Sequence, residues 1–214
     1  MKLSTRPNLR EAIFDVIAPY DCLLCSAEGT LVCSWCWPEL LAESVQKIEV
    51  TGLSSCRVVT PYQGGARALV RRMKIDAQRQ ACFLIARAMH ESAPQLPLAV
   101  CITSVPTAMA RIRERGFDHS ALIAKEFARL RGLAYRPLLT RHGRTKQAGA
   151  TKVQRARQIQ GVYLPRPRAL IKDRHILVID DVTTTGATLI EVANVLRAAG
   201  AKNLDALVFA QAIQ

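Results

Sequence analysis

Residues 175–189 read HILVIDDVTTTGATL, and that order of residue types leaves few folds open. Four apolar residues in a row, Ile176 to Ile179, predict a strand buried on both faces. Asp180 and Asp181 follow at once, then the small residues Thr183, Thr184, Thr185, Gly186, Ala187 and Thr188. Beyond Gly186, Leu189, Val192, Ala193, Leu196 and Ala199 share one helical stripe. Strand, tight loop and helix in this order bring backbone N–H groups and hydroxyls to a positive helix N-terminus, which suits a phosphate. The two carboxylates fall at the carboxyl end of the strand, where open α/β sheets bind ligands. The plainer account is an Asp-rich turn with a threonine cap, but a cap needs one hydroxyl and four are present. Neither a Gly-x-Gly-x-x-Gly fingerprint nor a Gly-Lys-Ser/Thr loop occurs, so dinucleotide and P-loop readings fail.

A second constraint comes from the cysteines. Cys22 and Cys25 form one Cys-x-x-Cys and Cys33 and Cys36 another, with seven residues between them. Two such pairs this close suit a tetrahedral Cys₄ zinc site, each pair gripping one edge. The metal would supply folding energy that so small a lobe lacks. Two redox-active dithiols are the alternative, although a redox motif normally stands alone at the start of a helix. Cys56, Cys82 and Cys101 have apolar neighbours and read as buried thiols.

Charge separates the two parts. Residues 1–56 carry 4 Lys/Arg and 7 Asp/Glu, whereas residues 57–214 carry 26 and 10. The basic excess of the second part favours polyanions, either a pyrophosphate-bearing sugar or a nucleic-acid backbone. Arg6, Arg10, Glu11 and Asp15 interrupt any signal-peptide core. The longest uncharged run, residues 92–110, holds Pro94, Pro97 and Pro106 and does not read as a membrane span. A cytoplasmic protein without membrane insertion is expected, its cysteines serving metal or remaining thiols.

Along the chain, helices are expected over 8–18, 38–47, 64–75, 77–92 and 118–130. Strands are expected over 56–60, 98–103, 135–139 and 204–210. A boundary near Gly52, Ser54 and Ser55 divides an N-terminal lobe, 1–55, from a larger domain, 56–214. Arg67, Arg71, Arg72 and Lys74 read as a solvated basic helix face. Residues 141–172 hold nine Lys/Arg and no acid.

The register of hydrophobic run, acid pair and Thr-Thr-Gly-x-Thr loop resembles the phosphoribosyl-pyrophosphate signature of type I phosphoribosyltransferases. That resemblance implies an open, mostly parallel α/β sheet with flanking helices, here with a small N-terminal Cys₄ zinc lobe added. It implies that Asp180 and Asp181 take the ribose hydroxyls and that Thr183 to Thr188 hold the 5′-phosphate. The strand-to-helix loop Ser104, Val105, Pro106 and Thr107 would then receive the pyrophosphate, with Arg111, Arg113 or Arg115 nearby. A closing loop over 141–158 would bring Arg144, Lys146 or Arg155 to the departing pyrophosphate. The same basic residues also suit single-stranded DNA.

Taken whole, CLLC and CSWC, PYQGGARALVRRMK, SVPTAMARIRERGFDHS, RTKQAGATKVQRARQ and VIDDVTTTGATL resemble the ComF competence family, which includes GntX-like proteins. Asp118 and His119 stand where that family usually has Asn-Gln, and Gln158 where it favours Asn. The resemblance implies phosphoribosyl pyrophosphate with Mg²⁺, or a nucleotide, as ligand, and a part in DNA uptake with the competence machinery. It leaves open a phosphoribosyltransferase acting on a nitrogen acceptor, with Asp180, Asp181, Lys146 and Arg144 as catalytic candidates. A GntX-like metabolic role without nucleic acid is also open.

Overall fold

The computed structural model describes residues 20–41, 45–97, 99–142 and 161–212. Its central feature is a six-stranded sheet in the order β1-β2-β8-β7-β3-β4. The strands are β1 (Gln46–Ile48), β2 (Ser55–Pro61), β3 (Cys101–Ser104), β4 (Ala134–Tyr135), β7 (His175–Thr183) and β8 (Asn203–Gln211). Every pairing is parallel except β1 with β2. A separate antiparallel ribbon joins β5 (Leu139–Arg141) to β6 (Tyr163–Pro165). The helices are α1 (Trp37–Leu40), α2 (Gly64–Lys74), α3 (Arg79–Ser92), α4 (Met109–Arg115), α5 (His119–Arg131) and α6 (Ala187–Ala198). The mixed α/β architecture with a mostly parallel sheet is as the sequence led one to expect.

Side-chain alternation along β7 organises the two faces of the sheet. Leu177 and Ile179 pack with Ile102, Leu207 and Phe209 against α2, α3 and α5. Ile176 and Val178 face the other way, onto Leu189, Val192, Ala193 and Leu196 of α6. The cysteine lobe joins the first of these cores: Leu31, Val32, Trp37 and Leu40 belong to the same buried cluster as Leu69, Met73 and Phe209. Leu24 of the lobe lies against Gly65, where an added Cβ would come within 3.1 Å of its Cδ1. A side chain at this point in α2 would press on Leu24 and require it to shift.

Several element boundaries differ from expectation, each for a pairing reason. The helix expected over 38–47 stops at Leu40, and Gln46–Ile48 becomes an edge strand because it finds β2 as partner. The strand expected over 98–103 begins at Cys101, after a turn in which Val100 N–H donates to Pro97 O. Residues 135–139 divide between two sheets, Tyr135 pairing with Ile102 and Leu139 with Pro165; Pro137 between them lacks the N–H that a continuous ladder needs. The strand of 176–179 continues to Thr183 because β8 accompanies it as far as Gln211. The expected helix over 8–18 lies outside the described residues. No helix among the described residues is long and apolar enough to cross a membrane.

Candidate functional site

Sheet register assembles the site. Ser104, the last residue of β3, pairs with Ile179, so the chain leaving β3 passes directly beside Asp180 and Asp181. Val105 N–H donates to Ile179 O at 3.1 Å and holds it there. The two aspartates lie inside β7, so alternation sends their side chains to opposite faces of the sheet. Both nevertheless line one cavity of about 530 Å³ at the carboxyl edge, together with Val105, Pro106, Thr107 and Thr188.

Asp181, on the α2/α5 side, is 4% exposed. Lys74 Nζ donates to its Oδ1 at 3.0 Å. Oδ2 lies 2.9 Å from the same Nζ and 3.1 Å from His119 Nε2, yet neither approach is aligned well enough to make a hydrogen bond. Burial opposes ionisation here, but Lys74 and then His119 hold Asp181 well below the usual carboxylate range. Arg115 Nη1 lies 3.0 Å from His119 Nδ1. A guanidinium only donates, so Nδ1 accepts and the ring proton sits on Nε2, the nitrogen facing Asp181.

Asp180 is 8% exposed and looks to the other face. Its Oδ1 accepts the Asp181 N–H at 2.9 Å. Burial, and next the Asp181 charge, push its carboxyl up to about 8, against the pull of Lys74, the Asp181 N–H and Arg141. The two adjacent carboxyls are thus driven in opposite directions, Asp181 toward its charged form and Asp180 toward its protonated one. Arg141 and Tyr163 from the β5–β6 ribbon line the cavity on this side. Their guanidinium and ring are 5.6 Å apart, and Arg141 Nε is buried without a hydrogen-bond partner among the described residues.

Of the loop after β7 and the start of α6, Thr188 lines this cavity, whereas Thr183 to Ala187 do not. Gly186 adopts φ +74°, a left-handed conformation that turns the chain into α6. No side chain caps that helix, and the hydroxyls of Thr184, Thr185 and Thr188 make no hydrogen bond among the described residues. Thr184 and Thr185 are exposed, whereas Thr183 is buried at the end of β7. Ala187 opens the helix.

Other candidate residues divide between cavity and scaffold. Thr107 Oγ1 donates to Asp118 Oδ1 at 2.8 Å, and Asp118 caps α5 by accepting the Ala121 N–H. Ser104 Oγ is 3.2 Å from Tyr135 Oη, and Ser104 is absent from the cavity lining. Arg111 lines the cavity but pairs with Glu114 at 2.8 Å. Arg113 is exposed and off the cavity. Arg115 donates from Nε to Lys74 O at 2.7 Å, so two of its nitrogens hold neighbouring residues. Arg144, Lys146 and Arg155 lie outside the described residues. Lys74, read from the sequence as part of a solvated helix face, instead pairs with Asp181 and lines the cavity, and His119 and Arg141, assigned no role there from the sequence, line it too. A basic helix face and a lone histidine carry no signal of the chain segment that they will meet.

The four paired cysteines converge. Cys22, Cys25, Cys33 and Cys36 place their sulfurs within 4.8 Å of one another, with Cys25 and Cys33 at 3.6 Å. Tetrahedral zinc at ~2.3 Å from each sulfur needs about 3.8 Å between them, so the cluster fits a metal ion of that kind. Cys33 N–H donates to Cys22 Sγ at 3.4 Å. Burial resists ionisation of Cys22, but N–H groups of Cys33, Leu24 and Cys25 outweigh it and bring the thiol down to about 6. Burial raises Cys56 and Cys82 to about 12, as expected of inert thiols in an apolar core.

Residues 90–214 match the phosphoribosyl transferase domain, and the chain belongs to that family. It is also similar to the DNA utilization protein YhgH of Salmonella typhi, 28% identical over 155 residues that cover 69% of this chain and 67% of that protein. The Salmonella typhimurium protein of the same name matches to the same extent. These relatives and the four-cysteine cluster bear out the ComF-like resemblance. Among solved structures, the B. subtilis glutamine phosphoribosylpyrophosphate amidotransferase has a TM-score of 0.43 and 17% identity, covering 61% of this chain and 26% of that one. The Trypanosoma cruzi hypoxanthine phosphoribosyl transferase has a TM-score of 0.36 and 15% identity, covering 62% and 64%. The chain thus spans about a quarter of that amidotransferase. Likenesses this distant add nothing to what the sheet itself establishes.

Proposed function

We propose that the cavity binds phosphoribosyl pyrophosphate and that the protein serves, as a ComF-like cytoplasmic protein, in DNA uptake during natural transformation. The carrying observation is the uncapped start of α6, where Thr188, its hydroxyl unengaged among the described residues, lines the same cavity as Asp180 and Asp181. The 5′-phosphate fits that helix start, where N–H groups and the dipole favour an anion. The ribose hydroxyls reach Asp181 and Asp180. The pyrophosphate lies toward Val105 to Thr107, with Lys74 and Arg141 as cations. Mg²⁺, carried on the pyrophosphate oxygens, would offset their charge. Zinc in the Cys₄ cluster would have a structural role.

Calorimetric titration with Mg²⁺ and phosphoribosyl pyrophosphate tests the ligand. Saturable binding that is lost in Asp180→Ala/Asp181→Ala, with circular dichroism unchanged, is the expected result. Equal affinity in that variant would remove the acid pair from the site. The nucleic-acid part of the reading draws on the relationship to the DNA utilization proteins and on the basic excess of residues 57–214. Binding of single-stranded DNA that weakens steeply with salt is expected; binding indifferent to salt would count against it.

A further inference from the structure

Lys74 lies outside residues 90–214, so the family match does not account for it. It is the last residue of α2, whose other end carries the Leu24 contact with the cysteine lobe. Arg115 donates to the Lys74 carbonyl at 2.7 Å, which pins the backbone and leaves the side chain as the movable part. The Lys74 side chain is 32% exposed, against 6% for its partner Asp181. The lysine is on the open side of the pair and the carboxylate on the closed side.

We propose that Lys74 is an exchange residue of the anion site: on Asp181 in the free protein, on the ligand's pyrophosphate in the complex. This rests on the phosphoribosyl pyrophosphate reading and adds what distinguishes that ligand from a plain sugar phosphate. Sugar hydroxyls arriving at Asp181 need acceptors, and Oδ2 is buried with no aligned donor. As Lys74 leaves, hydroxyl protons replace its contact at Oδ1, and His119 at 3.1 Å stays beside Oδ2. The carboxylate is then never buried alone, which would be costly. The freed ammonium is a flexible point charge with three donors, suited to a diphosphate that enters beside the 105–107 loop. Arg115 is a positioning residue in this scheme, since two of its three side-chain nitrogens are committed to Lys74 O and His119 Nδ1.

The test compares two ligands that share the sugar and 5′-phosphate and differ in the pyrophosphate. Wild type, Lys74→Met and Lys74→Gln are titrated with Mg²⁺-phosphoribosyl pyrophosphate and with ribose 5-phosphate, and thermal melts check that each variant folds. Both variants are expected to lose about tenfold or more for phosphoribosyl pyrophosphate, the loss of a charge-assisted contact. Affinity for ribose 5-phosphate should stay level or rise, because Asp181 no longer has a competitor. Equal losses on both ligands, or no loss on phosphoribosyl pyrophosphate, would overturn the exchange and make Lys74 a fixed partner of Asp181. Absence of binding in the wild type would instead overturn the ligand reading, and the exchange with it.

Discussion

The indole N–H of Trp37 donates to Glu91 Oε2 at 2.6 Å, and Arg87 lies 4.3 Å above the Trp37 ring while pairing with Glu91 at 2.7 Å. A residue next to the last cluster cysteine is thereby bound to the middle and end of α3. With Leu31, Val32 and Leu40 in the core shared with α2 and α3, the cysteine lobe should melt with the domain. A strong chelator is therefore expected to lower a single unfolding transition in calorimetry. A separate low-temperature transition, with the main one unmoved, would show that the lobe folds independently. Because α2 runs from Gly65 at the lobe to Lys74 at the cavity, chelation should also weaken ligand binding.

Asp180 predicts a pH dependence with a definite sign. Unfolded, its carboxyl releases a proton near the ordinary 3.8; folded, it keeps the proton to about 8. Between those values the folded state holds more protons, so stability falls as pH rises, by at most about 1.4 kcal/mol per unit. Asp181 acts oppositely: its depressed value contributes stability that is present above 3.8 and lost on strong acidification. Urea unfolding from pH 5 to 8 should show the decline in wild type and a flatter profile in Asp180→Asn. Matching profiles would mean that Asp180 ionises normally.

Gly186 has φ +74°, and its added Cβ would only touch Val50 Cγ2 at 3.5 Å. Space is therefore not the obstacle; backbone conformation is. Gly186→Ala should lose roughly 1–2 kcal/mol from the left-handed strain, measured by urea unfolding. It should also weaken phosphate-bearing ligands, because relief of that strain re-aims the N–H groups at the start of α6. Unchanged stability would argue against the turn as described.

Thr107→Val removes the hydroxyl donated to Asp118 while keeping the shape. Asp118 would retain the Ala121 N–H but lose its contact with the loop. A loss of about 1.5–3 kcal/mol is expected for a hydrogen bond to a charged group, seen in thermal or urea unfolding. A change within error would mean that the helix cap suffices without the loop.

Much of this protein was written in local order. The aliphatic run of 176–179, the glycine before α6 and the cysteine spacing determined a buried strand, a turn into a helix and a knuckle pair, because each depends on neighbours a few residues away. The stripe Leu189, Val192, Ala193 and Leu196 likewise faces the core by helical period alone. Partnership across the chain was decided only in three dimensions. Gln46–Ile48 became a strand because β2 offered an edge, and 135–139 divided because two different partners competed for it. Lys74 and Asp181 are 107 residues apart, and no periodicity links them. The ionisation of the two aspartates diverges for the same reason: alternation in β7 sends one toward Lys74 and His119 and the other toward Arg141. Identical side chains, adjacent in sequence, acquired different chemistry from the faces that they meet.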